Sequence, residues 1–343
     1  MNDPLGSGPY YVAERVVNRR IVLKRNPYYR GGRSANVDQV FWTIGESEQA
    51  CLLATEQNRI DHCVSTGGLG IPPTAYRRLA RQYGVNRPGG QYFVDTRLQT
   101  WYLAFNHDRP AFRGPGQIAL KKAINHALDR PAFTRSFGYL GGRPTDQLLQ
   151  PVLGRDDRIY RTEGADPATA RKWLARATVK PRTLVLYAYN NPFGVAIAET
   201  LSSNLKQIGI DLDVKYYDFG TAVDKAGTRG EPFDVVIGAW TVDYADAASF
   251  FEPLLNPVLR ETGNLNNSYF VRPWVSARMK AANRLAGEAR RKAWADLDAK
   301  LMREDPPWAP IVHTTDRSFV SRSLGCFRHH PVYGFDIAAV CKK

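Results

Sequence analysis

The sequence predicts an α/β fold in which one β-rich lobe, built from both ends of the chain, receives a second lobe as an insertion. Residues before 100 and after 311 carry short strand-like segments, whereas 101–311 alternate strand-like runs with amphipathic helices. The predicted domains are therefore 1–100 with 312–343, and 101–311. The two strands that cross between them, near Thr100 and near His313, are expected to form a hinge.

The amino-terminal part is rich in β-branched and aromatic residues with partial alternation, which is typical of half-buried strands. Its predicted helices end at residues that tolerate the left-handed conformation, Asn58 and Gly84. The tail after 311 returns to strand and turn character. In chain order, we expect strands over 10–12, 20–25, 37–44 and 60–64, a glycine-rich loop over 67–73, and helices over 46–57 and 74–83.

The middle part contains a strand–helix–strand unit, for which a parallel pairing with a right-handed crossover is expected. The apolar run over 233–239 predicts a parallel strand buried on both faces. Asp166 and Pro167 have the residue types of an N-cap and a first helical position. In chain order, we expect strands over 101–106, 184–189, 210–217 and 233–239, and helices over 117–128, from 167, over 197–208 and, as one long element, over 275–303.

Composition narrows the class of protein. A chain of 343 residues with 43% hydrophobic residues can bury a sizeable core. The net charge of +14 favours acidic partners such as nucleic acid or an anionic membrane surface. However, the basic residues occur singly or in short groups over both lobes, so exposed surface charge is favoured and no nucleic-acid partner is expected. The short basic groups are 19–20, 77–78, 121–122, 290–292 and 342–343.

No catalytic or metal-binding motif is present in the sequence. A hydrolase would need a nucleophile–base pair, and no G-x-S-x-G elbow occurs. None of the six histidines has metal-ligand spacing, and His329 and His330, adjacent on a strand, would point to opposite faces. Gly114-Pro115-Gly116 lacks the preceding strand that a dinucleotide site needs. We therefore predict a protein without enzymatic activity, metal or cofactor.

The strongest candidate for a binding site follows the apolar run over 233–239. Ligands of open α/β sheets bind beyond the carboxyl ends of strands. Trp240 and Tyr244 offer apolar walls there, Thr241 lies between them, and Asp243 offers a charged partner for an ammonium group. A purely structural role, with Asp243 as a helix N-cap and Trp240 in the core, is the alternative. Asp246 is the better candidate for the cap.

Several short motifs, in this order and spacing, resemble the extracellular solute-binding proteins of family 5, which serve peptide- and nickel-type ABC importers. The resemblance implies a two-lobed, type II periplasmic-binding-protein-like fold of the peptide-binding cluster. The motifs are GSGPY at 6–10, RNPYY at 25–29, RID at 59–61, FN at 105–106, AINHALDR at 123–130, GG at 141–142, IGID at 208–211, and FD with GAWTVDYAD over 233–246.

In peptide-binding members of this family, the aspartate that matches Asp243 holds the amino-terminal ammonium of the ligand. The resemblance therefore implies that the chain binds oligopeptides in a cleft, with Trp240 walling a side-chain pocket. It also implies a location outside the cytoplasm and delivery to a membrane permease. Nickel, an opine or an oligosaccharide are alternative ligands, and a basic nucleic-acid-associated protein is the more distant alternative.

The chain departs from the family at its beginning. Compared with the family, the chain is expected to lack the usual amino-terminal third, with its export signal and lipid-anchor cysteine, so the first lobe is expected to be incomplete. Met1–Leu5 do not resemble a signal peptide and no stretch of about 18 apolar residues occurs, which taken alone would indicate a cytoplasmic protein. Asn58 and Ala247 replace the family's usual Gly and Pro.

Four cysteines occur, in two pairs that are close in sequence: Cys51 with Cys63, and Cys326 with Cys341. In an exported protein, an even number of cysteines suggests disulfides. Four buried free thiols are the alternative, because free cysteine is among the most buried residue types.

Overall fold

A computed structural model describes residues 6–45, 47–63 and 70–343. Two compact units are present. The terminal unit comprises the described residues up to Arg97 together with Thr315–Lys343, and the inserted unit comprises Leu98–Thr314. The predicted α/β class is confirmed.

The strands are β1 Tyr10–Val16, β2 Arg20–Arg25, β3 Gln39–Thr43, β4 Tyr92–Phe105, β5 Gly142–Pro144, β6 Thr183–Tyr189, β7 Asp211–Tyr217, β8 Val235–Thr241, β9 Trp308–Phe319, β10 Leu324–Gly325, β11 His329–His330, β12 Gly334–Phe335 and β13 Cys341–Lys342. The α-helices are α1 Glu48–Glu56, α2 Tyr76–Tyr83, α3 Ile118–Ala127, α4 Arg130–Ser136, α5 Pro167–Ala175, α6 Pro192–Lys206, α7 Phe219–Ala226, α8 Ala248–Leu254, α9 Pro273–Asn283 and α10 Gly287–Glu304. Strands β4 and β9 each continue from one unit into the other.

The terminal unit is built from small sheets. Strands β1, β2 and β3 form an antiparallel sheet, and β10 pairs with β13 and β11 with β12. Helix α1 begins after Ser47, whose side chain accepts a hydrogen bond from the Ala50 amide. In place of the strand expected over 60–64, the described residues show an isolated bridge from His62 to Val320. Residue 46 of the predicted helix, residue 64 of that strand and residues 67–69 of the predicted loop lie outside the described residues.

The inserted unit is organised around a six-stranded sheet with the order β5-β9-β4-β8-β6-β7. The expected parallel pairing of the strand–helix–strand unit is confirmed, because β6 runs parallel to β7 with Leu186 opposite Val214. Ile124 of α3 and Ile197 and Leu201 of α6 belong to the same buried hydrophobic cluster as the sheet residue Leu186. Asp166 caps α5 through the Thr169 amide, as its residue type predicted.

One prediction for the inserted unit is confirmed in part and another is wrong. The strand expected over 233–239 is β8, which runs parallel to β6 on one side but antiparallel to β4 on the other. The single helix expected over 275–303 is two helices, α9 and α10, separated near Gly287, which has a φ of +56°. Leu285, predicted in the buried stripe of that helix, is exposed at the break, whereas Trp294 and Leu297 are buried.

All four cysteines form disulfides in the terminal unit. Cys51 is bonded to Cys63, which ties α1 to the segment after it. Cys326 is bonded to Cys341, which ties β13 to the residue that follows β10. None of the helices in the described part of the chain combines the length and the apolar character that a membrane span requires.

Candidate functional site

The predicted ligand-binding residues lie in one segment, where β8 ends. Trp240 and Thr241 are the last two residues of β8 and stand opposite Thr100 and Gln99 of β4. Pairing with β4 extends one residue further, since the Val242 amide donates to the Leu98 carbonyl. The ladder therefore fixes the backbone up to the residue before Asp243.

Ser249 of helix α8 holds the segment from the other side. The Trp240 indole Nε1 donates to the Ser249 carbonyl over 2.6 Å, and the Asp243 amide donates to the Ser249 hydroxyl over 2.7 Å. Trp240 is half-buried by these contacts, whereas Asp243 and Tyr244 are exposed. Partial burial, together with the nearby Glu252, raises the pKa of the Tyr244 hydroxyl, which therefore stays neutral.

Asp246, predicted as the helix cap, lies one residue before the actual N-cap of α8, Ala247, but it does bind the start of that helix. Its carboxylate accepts a hydrogen bond from the amide of Ala248, the first residue of α8. It also forms a two-point ion pair with Arg290, both nitrogen–oxygen distances being 2.8 Å. The hydrogen bond from Arg290 lowers the pKa of Asp246. Arg290, predicted on a solvated face of the long helix, is thus engaged in anchoring this turn.

Asp243 is left available by this arrangement. Among the residues that the structure describes, its carboxylate has no hydrogen bond or ion pair, while its backbone is fixed through Ser249. A carboxylate held on a rigid backbone and facing water can accept charge-assisted hydrogen bonds from a cation without first giving up a protein partner. The half-buried indole of Trp240 provides apolar surface three residues away.

Gln99 belongs to the same site and was missed in the sequence. Its side-chain Nε2 donates to the Thr241 hydroxyl over 2.9 Å. Its Oε1 accepts from the Trp101 indole over 3.1 Å and from the Thr314 hydroxyl over 3.0 Å. A glutamine within a strand carries no motif, so no sequence signal distinguishes it. The structure shows that its side chain links its own strand, β4, to the two neighbouring strands β8 and β9.

Buried polar groups support the strand beneath the site. The Thr100 hydroxyl donates to the Leu148 carbonyl and lies 2.9 Å from Nδ1 of His313. Burial lowers the pKa of His313 to about 3, so the imidazole is neutral. Because the Thr100 hydroxyl gives its one proton to the Leu148 carbonyl, Nδ1 of His313 is assigned as the donor to Thr100. The amides of Leu148 and Leu149 donate in turn to the buried carboxylate of Asp298. These bonds fix the segment around 148 against β4.

A row of aromatic rings lies near the end of the same sheet, where β6 terminates. Phe193 packs edge-on against Phe137 and Trp101, with ring centroids 4.8 and 4.9 Å apart. Trp101 meets Tyr189 at 6.2 Å, and Tyr189 meets Phe219 at 5.5 Å. We call these five residues the aromatic row. They come from β4, the end of α4, the end of β6 and the first turns of α6 and α7.

The histidines and acidic residues form no metal site in the parts of the chain that are described. No group of three or more His, Cys, Asp or Glu side chains there could hold a metal ion. His329, on β11, is bonded to Asp316 over 2.9 Å, and His330 stacks on Tyr333. These residues therefore have structural partners.

Comparison with known proteins gives consistent matches. A sequence model described as "Bacterial extracellular solute-binding proteins, family 5 Middle" matches residues 1–258. A dipeptide-binding protein of Pseudomonas aeruginosa is 23% identical over 338 residues, which are 96% of this chain and 60% of that protein. The periplasmic oligopeptide-binding protein OppA of Escherichia coli is 24% identical over 334 residues, covering 93% of this chain and 57% of its own length.

Solved structures show the same fold. Clavulanic acid biosynthesis oligopeptide binding protein 2 superposes with a TM-score of 0.87 at 23% identity, covering 99% of this chain and 64% of that one. A dipeptide-binding protein from Pseudoalteromonas, solved with Met-Leu, gives a TM-score of 0.74 at 20% identity, covering 98% and 64%. The two-lobed periplasmic-binding-protein-like fold predicted from the sequence is thereby confirmed. The chain spans about 60% of the length of the curated relatives it matches.

Proposed function

The chain belongs to the bacterial extracellular solute-binding proteins of family 5, and we propose that it captures oligopeptides outside the cytoplasm for delivery to the membrane permease of an ABC importer. The family is shown by the match over residues 1–258. The peptide ligand is supported by relatives named for dipeptide and oligopeptide binding. Their location, periplasmic by name for one of them, supports a site of action outside the cytoplasm. The proposed activity is binding and release, without catalysis.

Asp243 carries this proposal. A free peptide has an ammonium group at its amino terminus, and that group needs an anionic partner once it leaves water. The Asp243 carboxylate is exposed, has no partner of its own among the described residues, and sits on a backbone fixed at both sides. We assign it the role of holding the peptide ammonium. Trp240 then supplies an apolar wall beside the first residue, and Thr241 and Tyr244 supply hydroxyl groups.

Main-chain pairing is proposed to provide the remaining affinity. An extended peptide can bond through its own amides and carbonyls, as an added strand does, and such bonds do not depend on its side chains. The terminal ammonium is a positive charge that every unblocked peptide carries whatever its side chains. The charge at Asp243 is therefore one feature that separates peptides from neutral ligands such as oligosaccharides.

The test compares free and blocked peptides on the full chain by isothermal titration calorimetry. We expect trialanine to bind the wild-type protein and N-acetyl-trialanine to bind about tenfold or more weakly, because a hydrogen bond to a charged group contributes about 1.5–3 kcal/mol. Asp243→Asn removes this difference. The matched control is Asp224→Asn, which alters another exposed aspartate, on α7, and leaves the difference intact.

Two results would contradict the assignment. If the wild-type protein bound the free and the acetylated peptide with equal affinity, Asp243 would not hold the peptide ammonium. Binding of Ni²⁺ or of a malto-oligosaccharide in place of every peptide tested would show that the ligand class is wrong.

A further inference from the structure

Ser249, on helix α8, contacts the segment over 240–246 with its amide, its hydroxyl and its carbonyl. The amide donates to the Asp246 carbonyl over 3.1 Å, the hydroxyl accepts from the Asp243 amide, and the carbonyl accepts from the Trp240 indole. Ser249 is only 2% exposed, so a group that lost its partner here would be unpaired away from water. One buried residue therefore positions both the backbone of Asp243 and the ring of Trp240.

The Ser249 carbonyl is available to the indole because of Pro253. In an α-helix, a carbonyl accepts from the amide of the residue four positions later. For Ser249 that residue is Pro253, which lies inside α8 and has no N–H to donate. The indole Nε1 of Trp240 takes the place of the missing donor, at 2.6 Å. The proline that weakens the helix thus leaves an acceptor for a side chain of the candidate site.

The two bonds act on different parts of the site. The Ser249 hydroxyl belongs to a side chain, and it fixes the backbone that carries the Asp243 carboxylate. The Ser249 carbonyl belongs to the backbone, and it fixes the half-buried ring of Trp240. Replacing the Ser249 side chain therefore removes the first bond and retains the acceptor of the second. Replacing Pro253 by a residue with an amide does the reverse, because that amide competes with the indole for one carbonyl.

We propose that Ser249 and Pro253 are positioning residues of the binding site, Ser249 for the ammonium partner Asp243 and Pro253 for the apolar wall Trp240. This inference rests on the proposed function, because it assumes a peptide held at Asp243 with its first side chain beside Trp240. A side chain that is already held in one orientation loses less conformational freedom when a ligand binds, which strengthens binding. Pro253 thereby controls the preference for a large apolar first residue, and Ser249 controls recognition of the ammonium.

The experiment measures two ratios of affinity by calorimetry on the full chain. The ammonium ratio compares trialanine with N-acetyl-trialanine, and the side-chain ratio compares Leu-Ala-Ala with trialanine. We expect Pro253→Ala to reduce the side-chain ratio about threefold or more, the effect of one ordinary hydrogen bond, and to leave the ammonium ratio unchanged. Ser249→Ala should reduce the ammonium ratio by a similar factor and leave the side-chain ratio unchanged.

The indole bond can be observed directly after labelling the tryptophans with nitrogen-15. The chain has seven tryptophans, and the indole signal that disappears in Trp240→Phe belongs to Trp240. In Pro253→Ala we expect this signal to shift and its proton to exchange faster with water, because the Ser249 carbonyl is then shared between two donors. Ser249→Ala should retain the slow exchange, since it keeps the carbonyl.

Pro273→Ala is the matched control for the loss of a proline. Pro273 is the first residue of α9, where the amide of a helix has no carbonyl within the helix to bond to. An amide restored at this position competes for no acceptor. We therefore expect Pro273→Ala to change neither ratio and to leave the Trp240 indole signal in place.

A double-mutant cycle tests whether Pro253 acts through the indole. Trp240→Phe keeps an aromatic ring but has no N–H, so Pro253→Ala should reduce the side-chain ratio no further in that background. An equal reduction in both backgrounds overturns the role of Pro253, as does an unchanged indole signal in Pro253→Ala. The melting temperature of each variant checks its folding. Trp240→Phe removes the same bond without altering α8, so an unchanged side-chain ratio in that variant also overturns the role.

The outcomes separate this inference from the function on which it rests. If every variant binds peptides with both ratios as in the wild-type protein, the positioning roles are overturned and peptide capture stands. Equal weakening of all peptides in Pro253→Ala and Ser249→Ala also overturns these roles, because it indicates a general structural effect. If the wild-type protein binds none of the peptides, both proposals are overturned.

Discussion

The two units of the molecule are stabilised in different ways. The inserted unit has a six-stranded sheet with a large core that includes Leu103, Leu186 and Ile237, and it contains no cysteine. The terminal unit has small sheets of short strands, and both disulfides lie in it. Its described clusters are small; one of them is formed by the three buried residues Val320, Leu324 and Val340.

This difference between the units reflects how little hydrophobic stabilisation a small core provides. Burial of apolar area increases with the size of the structure, so short strands around a few buried side chains gain little hydrophobic stabilisation. A disulfide compensates by restricting the unfolded chain and does not require a large core. We therefore expect the inserted unit to depend on packing and the terminal unit to depend on its covalent bonds.

The largest effect is expected from the core of the inserted unit. Leu186 is fully buried on β6, and Leu186→Ala leaves a cavity that costs about 2–5 kcal/mol of unfolding free energy. The measurement is urea unfolding combined with amide hydrogen exchange resolved by unit. Leu285→Ala, at an exposed leucine of the same unit, is the control and should change the free energy by less than about 0.5 kcal/mol. Similar costs for the two variants would show that packing does not dominate here.

The next effect concerns the disulfide between Cys326 and Cys341, which are 15 residues apart. Replacing both with serine is expected to cost about 3 kcal/mol, the value for closing a loop of this length. Amide exchange should accelerate mainly in the terminal unit. If amide exchange accelerated equally in the inserted unit, the two units would not differ in their dependence on disulfides. The double variant Cys51→Ser with Cys63→Ser removes the other disulfide of the terminal unit and serves as the comparison.

The last effect is a difference in the slope of stability against pH between the buried carboxyl group of Asp298 and the half-buried one of Asp316. Burial raises the pKa of Asp298 in the inserted unit to about 7, above its unfolded value of 3.8. The folded state therefore binds the proton more tightly, and this group's contribution to stability falls as pH rises from about 4 to 7, by at most about 1.4 kcal/mol per pH unit. Asp298→Asn should flatten this slope in urea unfolding between pH 4.5 and 6.5.

Asp316 of the terminal unit provides the opposite case. Burial acts to raise its pKa, but His329 and Arg97 outweigh burial and hold the pKa below its usual value. Its contribution is present above the unfolded pKa and is lost as pH falls through the folded one. Between pH 4.5 and 6.5, Asp316→Asn should therefore keep the fall of stability with pH that Asp298→Asn loses, and identical profiles of the two variants would contradict this assignment.

The sequence was informative where local periodicity determined the structure. The strand–helix–strand unit was predictable because its apolar residues recur at helical and strand spacing, and β6, α6 and β7 lie where they were expected. The break between α9 and α10 was missed because Ala and Leu continue at helical spacing through Gly287. The antiparallel pairing of β8 with β4 was missed because a buried apolar strand does not reveal the direction of its neighbours.

The candidate site could be predicted only in part, because the sequence does not reveal which segments become neighbours in the sheet. Trp240 and Asp243 are close in sequence and follow one strand, so their proximity could be predicted, although their role in binding stays a prediction. The aromatic row extends from Trp101 to Phe219, over five elements with no shared motif. Its members meet only because β4, β6 and β8 are brought side by side in the sheet, and sheet order is not encoded in any single segment.

The passage of β4 and β9 between the units has a genetic consequence. Leu98 and Thr314, where the inserted unit begins and ends, lie on neighbouring strands of one sheet, and the Thr314 hydroxyl bonds to Gln99, the next residue after Leu98. A unit whose two ends meet can be exchanged as a cassette by two crossovers in its gene without lengthening the chain that flanks it. Gln99 and residues 240 to 244 all lie inside that cassette, so one such exchange would transfer the proposed partner of the peptide ammonium together with the side chains that surround it.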